Sequence, residues 1–124
     1  MDQPRIVVTT AIPQVALDRL SQHAEVVDVS ARPRHEWDEA LATARGVLVH
    51  SGVSVDEAFI AAAPALRIVS TISVGYDNID RAALARRGIP LTNAQGTLTE
   101  AVADLTFWLV IAAMRRLSTA LAWA

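Results

Sequence analysis

Short apolar segments alternate with helix-like segments along the first 96 residues of the chain. Five segments have the length and β-branched composition of buried strands, namely residues 6–8, 26–29, 47–49, 68–72 and 89–92. The segments between them favour helices at residues 13–20, 36–45, 56–63 and 80–87. This alternation is typical of an α/β fold with a parallel sheet and helices on both faces. The spacing predicts a flavodoxin-like strand order, 2-1-3-4-5.

Capping residues mark the expected ends of several helices. Asp80 is placed to cap the fourth helix and Gly88 to end it, while Gly46 is expected to end the second helix. Pro90 places the brief fifth strand near an edge of the sheet. In parallel sheets ligands bind at the carboxyl ends of the strands. Function is therefore expected in the loops at residues 10–13, 50–54, 73–78 and 93–99.

The C-terminal segment has a different pattern. Thr97 and Glu100 have the spacing of a capping box, and a single helix is predicted from about Leu98 to Leu121. Its apolar residues occupy most sides, which indicates a helix that is buried all round. We therefore divide the chain into a domain at 1–96 and a helix at 97–124 that meets another domain or subunit. The apolar end at Ala124 is interpreted as a cut end.

Composition narrows the class of protein. Of the 124 residues 52% are hydrophobic and 19% are charged, as in a folded chain. The net charge of −2 argues against a nucleic-acid partner, and the absence of cysteine excludes disulfides and thiolate sites. Because the sequence shows neither a signal peptide nor a long apolar run, we expect no membrane span and a cytoplasmic location.

Several familiar catalytic signatures are missing. The glycines include no pair at G-x-G spacing, there is no G-x-S-x-G motif, and the histidines are too scattered for a metal site. A phosphoacceptor receiver domain would need carboxylates where the chain has Thr9, Thr10 and His50. His50 ends a strand and is interpreted as part of the loop structure, with substrate contact as the lesser alternative.

The loop from Ser73 to Asp80 is the most informative stretch. Gly75 permits either an unusual backbone angle or the close approach of a ligand. Successive N–H groups around it could form an anion-binding nest. A purely structural loop, with Asp77 and Asn78 as ordinary turn formers, explains the same residues.

Separated motifs in this part of the chain resemble those of the D-isomer-specific 2-hydroxyacid dehydrogenases. The motifs are most similar to those of the glyoxylate/hydroxypyruvate/2-ketogluconate reductase branch, and the resemblance is strongest from Leu66 to Leu117. The motifs are ISVGYDNID at 72–80, ARRGI at 85–89, TN at 92–93, LTEAVADL at 98–105 and RRL at 115–117.

The resemblance implies a reductase that converts a small 2-oxo acid, such as glyoxylate or hydroxypyruvate, into a D-2-hydroxy acid with NADPH or NADH. It also implies a homodimer that forms through the 97–121 helix. Six site positions follow from it. They are Val74 and Gly75 for binding the substrate carboxylate through backbone amides, Ser51 and Gly52 for lining the pocket, Leu98 for facing the substrate, and Thr99 for lying near the cofactor.

Large parts of the family pattern are absent from the printed sequence. The Gly-rich Rossmann half, the C-terminal return to the substrate domain, and the family's catalytic Arg, Glu and His lie beyond the matched part. We therefore assign no catalytic residue and no metal ligand. The leading interpretation is the N-terminal part of such a reductase, inactive in isolation. The alternatives are a non-catalytic dimerisation or binding module and a truncated relic of the enzyme.

Overall fold

A computed structural model of the chain describes residues 3–122. Five parallel strands form one sheet in the order β2-β1-β3-β4-β5, which confirms the predicted fold class. The strands are β1 (Arg5–Val8), β2 (Glu25–Asp28), β3 (Gly46–Val49), β4 (Ile68–Thr71) and β5 (Leu91–Thr92). The helices are α1 (Gln14–Ser21), α2 (Asp38–Ala42), α3 (Glu57–Ala62), α4 (Arg81–Arg86), α5 (Thr99–Met114) and α6 (Leu117–Leu121), with a 3-10 turn at Arg34–Glu36.

The chain divides into two compact units. The first ends at Ala94 and contains the sheet with α1 to α4, and the second begins at Gln95 and contains α5 and α6. None of the helices within residues 3–122 is long and apolar enough to cross a bilayer.

The core of the first unit forms where the central strands pack against α2, α3 and α4. Valines at alternate positions of β1, β3 and β4 face it, because successive side chains of a strand point to opposite faces. Each large side chain buried there stabilises the fold by about 1.5–3 kcal/mol. The most deeply buried large members are Val7, Val29, Leu41, Val47, Val49, Val55, Phe59, Val69 and Leu84.

The predicted second helix is shorter than expected, and Gly46 does not end it. Helix α2 ends at Ala42, and Gly46 is the first residue of β3. A Cβ atom at this glycine would lie 2.6 Å from Cδ1 of Ile6 on the neighbouring strand. The missing side chain at Gly46 therefore leaves room for the side chain of Ile6 on β1, and Gly46 is not a helix cap.

The predicted single C-terminal helix is also wrong. Helix α5 ends at Met114, and α6 begins at Leu117 after Arg116 adopts a left-handed conformation with φ of +50°. This conformation costs a non-glycine residue roughly 1–2 kcal/mol and interrupts the helical hydrogen-bond ladder. The first helix begins at Thr99 with Leu98 in the N-cap position, one residue later than the proposed capping box implies.

Candidate functional site

Two loops of the first unit follow the carboxyl ends of the adjacent strands β3 and β4. The loop at residues 50–55 follows β3, and the loop at residues 72–80 follows β4. Since the two strands pair in parallel, both loops leave the sheet at the same edge. This is the edge at which open α/β sheets bind their ligands.

Asn78 joins these loops. Its side-chain Nδ2 donates to the carbonyl oxygens of Val53 at 2.6 Å and of His50 at 3.2 Å. The backbone adds a second connection, because the N–H of Val55 donates to the carbonyl of Asn78 at 2.9 Å. Asn78 was interpreted from the sequence as an ordinary turn former, and the structure shows that it connects both loops. No local pattern could reveal this, since the acceptors lie 25 and 28 residues away.

Ser51 and Gly52 are exposed, but protein acceptors already occupy their backbone N–H groups. The N–H of Ser51 donates to Oγ of Ser73, and that of Gly52 donates to Nδ1 of His50, both at 3.0 Å. A Cβ atom at Gly52 would lie 2.5 Å from Cε1 of His50, so a larger residue at this position would displace the ring. His50 therefore has the structural role that was preferred from the sequence. The role of Ser51 and Gly52 in lining a pocket stays a prediction.

The backbone around Gly75 offers free hydrogen-bond donors. Within the part of the chain that the structure describes, the N–H groups of Val74, Gly75 and Tyr76 have no acceptor. All three residues are exposed. The loop is nevertheless fixed near its start, because Nδ2 of Asn93 donates to the carbonyl of Val74 at 2.8 Å. Adjacent free N–H groups on an anchored loop can bind an anion by donating hydrogen bonds to it.

Gly75 does not adopt the unusual backbone angle that the sequence allowed. Among the glycines that the structure describes, only Gly88 and Gly96 have positive φ. A Cβ atom at Gly75 would meet nothing closer than Oδ2 of Asp77 at 3.9 Å. The unusual angle is therefore ruled out for Gly75, and the close approach of a ligand stays a prediction beside the purely structural loop.

The remainder of the 72–80 motif, beyond the free amides, has a structural role. Ile79 is buried, and Oδ1 of Asp80 accepts from the N–H of Ala83 at 2.8 Å, which caps α4 as predicted. The Tyr76 ring lies 5.1 Å from the guanidinium carbon of Arg81, a cation–π distance. The motif therefore divides into an open half that could meet a ligand and a half that holds the loop.

Leu98 and Thr99 belong to the second unit. Leu98 is 56% exposed at the N-cap of α5, and Thr99 is the exposed first residue of that helix. Their proposed contacts with substrate and cofactor stay predictions.

The described part of the chain offers neither a metal site nor a dinucleotide-binding loop. No group of three or more His, Asp or Glu within residues 3–122 is arranged to bind a metal ion. The segment between β1 and α1 runs from Thr9 to Pro13 without a glycine, so it does not fit a dinucleotide pyrophosphate. The described residues thus provide donors for a small anion and no cradle for a nicotinamide cofactor.

Comparison with known proteins agrees with this arrangement. A family model for the catalytic domain of D-isomer specific 2-hydroxyacid dehydrogenases matches residues 6–122. Glyoxylate/hydroxypyruvate reductase B of Yersinia enterocolitica is 44% identical over 117 residues, which are 92% of this chain and 36% of that protein. The chain thus spans about a third of the length of this relative.

Solved structures show the same likeness. The 2-hydroxyacid dehydrogenase of Ketogulonicigenium vulgare is 30% identical, with a TM-score of 0.83 over 100% of this chain and 40% of that one. The NADPH-dependent glyoxylate/hydroxypyruvate reductase of Sinorhizobium meliloti, in complex with NADP and malonate, is 31% identical, with a TM-score of 0.69 over 90% of this chain and 34% of that one. The match to the family model over residues 6–122 shows that the chain belongs to the D-isomer specific 2-hydroxyacid dehydrogenase family and corresponds to part of its catalytic domain.

Proposed function

We propose that the chain supplies the carboxylate-binding loops of an NAD(P)H-dependent reductase of small 2-oxo acids. The observation that carries this proposal is the set of unoccupied N–H groups of Val74, Gly75 and Tyr76 at the carboxyl edge of the sheet. The names of the relatives support glyoxylate and hydroxypyruvate as substrates. The expected location is the cytoplasm.

The chemistry of the substrate explains why backbone amides suit this role. A 2-oxo acid carries a carboxylate whose oxygens accept charge-assisted hydrogen bonds from N–H groups. Gly75 presents its amide without a side chain that would block the approach. Asn78 and Asn93 hold the loop before any ligand arrives, so little ordering entropy is lost on binding. We assign the binding and orientation of the carboxylate to the amide of Gly75, and the positioning of that amide to Asn78 and Asn93.

The other parts of the reaction need residues that this sequence does not provide. In such a reductase a nicotinamide cofactor supplies the hydride. The printed sequence has no G-x-G-x-x-G loop and no residue in the family's catalytic Arg, Glu or His positions. We therefore expect no glyoxylate-dependent oxidation of NADPH by the 124-residue chain alone. Leu98 is proposed to face the substrate and Thr99 the cofactor once the remaining parts are present.

A homodimer through the second unit is part of the same proposal. None of the residues of α5 is buried, and apolar side chains cover most of its sides. A helix with this pattern is stable in water only when other protein covers it. A second copy of the chain provides the same apolar face, and we propose that the two faces pack together.

Binding of the isolated chain to malonate tests the carboxylate site. In an NMR titration at constant ionic strength, the amide signals of Val74, Gly75 and Tyr76 are expected to shift with malonate and not with malonamide, its neutral analogue. Gly75→Val should abolish these shifts by crowding the amides, whereas Ser54→Val on the neighbouring loop should leave them unchanged. Equal shifts with malonamide, or shifts that survive Gly75→Val, would contradict the assignment.

A further inference from the structure

Three arginines lie side by side at the amino edge of the sheet, opposite the candidate substrate loops. Arg5 begins β1, Arg45 precedes β3 and Arg67 precedes β4. The N–H of Arg45 donates to the carbonyl of Arg5, and the N–H of Arg67 donates to the carbonyl of Arg45, each at 2.8 Å. The three residues are therefore immediate neighbours on three adjacent strands. Like charges in such positions repel and destabilise a sheet.

Of the three arginines, only Arg5 is compensated by carboxylates. A guanidinium nitrogen of Arg5 lies 2.7 Å from Oε1 of Glu25, and another donates to Oγ1 of Thr43 at 2.6 Å. The hydrogen bond and charge of Glu25, with a smaller effect from Glu39, raise the pKa of Arg5.

Arg45 and Arg67 are left without such compensation. Their exposed side chains have no ion-pair partner among the residues that the structure describes. Two neighbouring cations therefore face solvent without a counter-charge at this edge.

An open cavity lies beside this row. Its volume is about 520 Å³, ample for a small anion. It is lined by Gln3, Arg5, Glu25, Thr43 and Arg45, so amide, hydroxyl and guanidinium donors surround it. The single carboxylate in the lining is engaged by Arg5. The cavity therefore places the uncompensated charge of Arg45 beside neutral hydrogen-bond donors, while Arg67 lies outside its lining on the adjacent strand.

We propose that this amino edge binds a phosphate-type oxyanion in the cavity at Arg45, with Thr43 and Arg5 beside it and Arg67 of the adjacent strand as a second cation at its rim. A tetrahedral oxyanion with two negative charges offers enough oxygens for two guanidinium forks at once. A monocarboxylate has only two oxygens and one negative charge, so it holds two forks far less tightly. The site is at the opposite end of the strands from Gly75 and does not depend on the function proposed above.

An NMR titration of the 124-residue chain with inorganic phosphate, at ionic strength held constant with sodium chloride, tests this site. Saturable shifts are expected at the amides of Arg45, Gly46 and Arg67. Each of Arg45→Gln and Arg67→Gln should weaken binding about tenfold, the effect of losing one charge-assisted hydrogen bond. Arg32→Gln is the matched control, because Arg32 is also exposed and its side chain has no ion pair in the described chain.

Two further measurements keep the test decisive. Glu25→Gln frees Arg5 from its carboxylate and should tighten phosphate binding, a gain that a merely disturbed fold would not produce. Acetate at the same ionic strength should give no saturable shift at this edge. The proposal fails if chloride or acetate reproduces the phosphate shifts, or if both arginine variants bind phosphate as tightly as Arg32→Gln does.

Discussion

The side-chain nitrogen of Asn78 lies 2.6 Å from the carbonyl oxygen of Val53, and this hydrogen bond joins the loops that follow β3 and β4. The same nitrogen also reaches the carbonyl of His50. One carboxamide thus fixes the position of the Ser51–Gly52 backbone relative to the free amides of Val74 and Gly75. Such a network is worth most when every member is satisfied, so the loss of its central donor should disturb both loops.

Replacing Asn78 should loosen the loop after β3. Asn78→Asp has the same shape but cannot donate, and it places a carboxylate against two carbonyl oxygens. We expect a loss of about 1–3 kcal/mol of unfolding free energy, measured by urea denaturation. Amide exchange should accelerate from Gly52 to Val55.

Asn93→Ala is the control for this change. Asn93 contributes one exposed hydrogen bond to the carbonyl of Val74 and does not bridge the two loops. Its loss should leave exchange in the β3 loop unchanged. Wild-type exchange rates in Asn78→Asp would show that the backbone bonds hold the loops without the side chain.

The two aspartates of the same motif should differ sharply. The carboxylate of Asp80 accepts from the N–H of Ala83 and caps α4. Asp80→Ala should therefore cost about 1 kcal/mol of unfolding free energy. Asp77 is exposed and caps no helix, so Asp77→Ala should change stability by less than about 0.5 kcal/mol. Thermal melts of the two variants measure this difference, and equal losses would contradict it.

The sequence alone predicted those features of the fold that local patterns encode. The β-branched runs predicted all five strands and their order, and Asp80 and Gly88 were correctly assigned to the ends of α4. Features that depend on distant residues were missed or misread. Gly46 resembles a helix terminator in sequence, but its role depends on Ile6, a residue 40 positions away that lies on the neighbouring strand.

The candidate site shows the same division. The motif around Gly75 pointed to the loop in which the structure leaves backbone amides free, because glycine and turn-forming residues follow a buried strand there. The sequence could not show that the amides of Ser51 and Gly52 are already occupied, whereas that of Gly75 is free. Whether a backbone N–H already has an acceptor depends on which loops the strand order brings together. The spacing of residues along the chain does not show this.

Adjacent arginines at the end of α4 should contribute unequally to stability. Arg87 donates to the carbonyls of Ile60 at 2.6 Å and Pro64 at 2.8 Å, so it satisfies acceptors around the end of α3. Arg86 forms a surface ion pair with Glu57. Because these hydrogen bonds come from a charged donor, Arg87→Gln should cost about 1–3 kcal/mol of unfolding free energy.

Arg86→Gln provides the matched comparison at the next position. Exposed ion pairs of this kind are worth about 0–1 kcal/mol. Urea denaturation at low and high salt separates the two cases, since only the Arg86 contribution should fall as salt rises. If Arg87→Gln were as stable as the wild type, the hydrogen bonds from Arg87 would contribute nothing to the free energy of unfolding.

The apolar surface of α5 should drive self-association. Phe107 is 70% exposed and lies in the middle of a helix whose other large apolar side chains are also exposed. Phe107→Glu places a charge in the proposed interface and should lower the association constant at least about tenfold in sedimentation equilibrium, because desolvating an unpaired charge is costly. Val15→Glu is the control, since Val15 is a 75% exposed apolar residue on α1 in the first unit. Its association should match the wild type. A wild-type chain that stays monomeric at high concentration, or a Phe107→Glu chain that associates like Val15→Glu, would rule out a dimer through this helix.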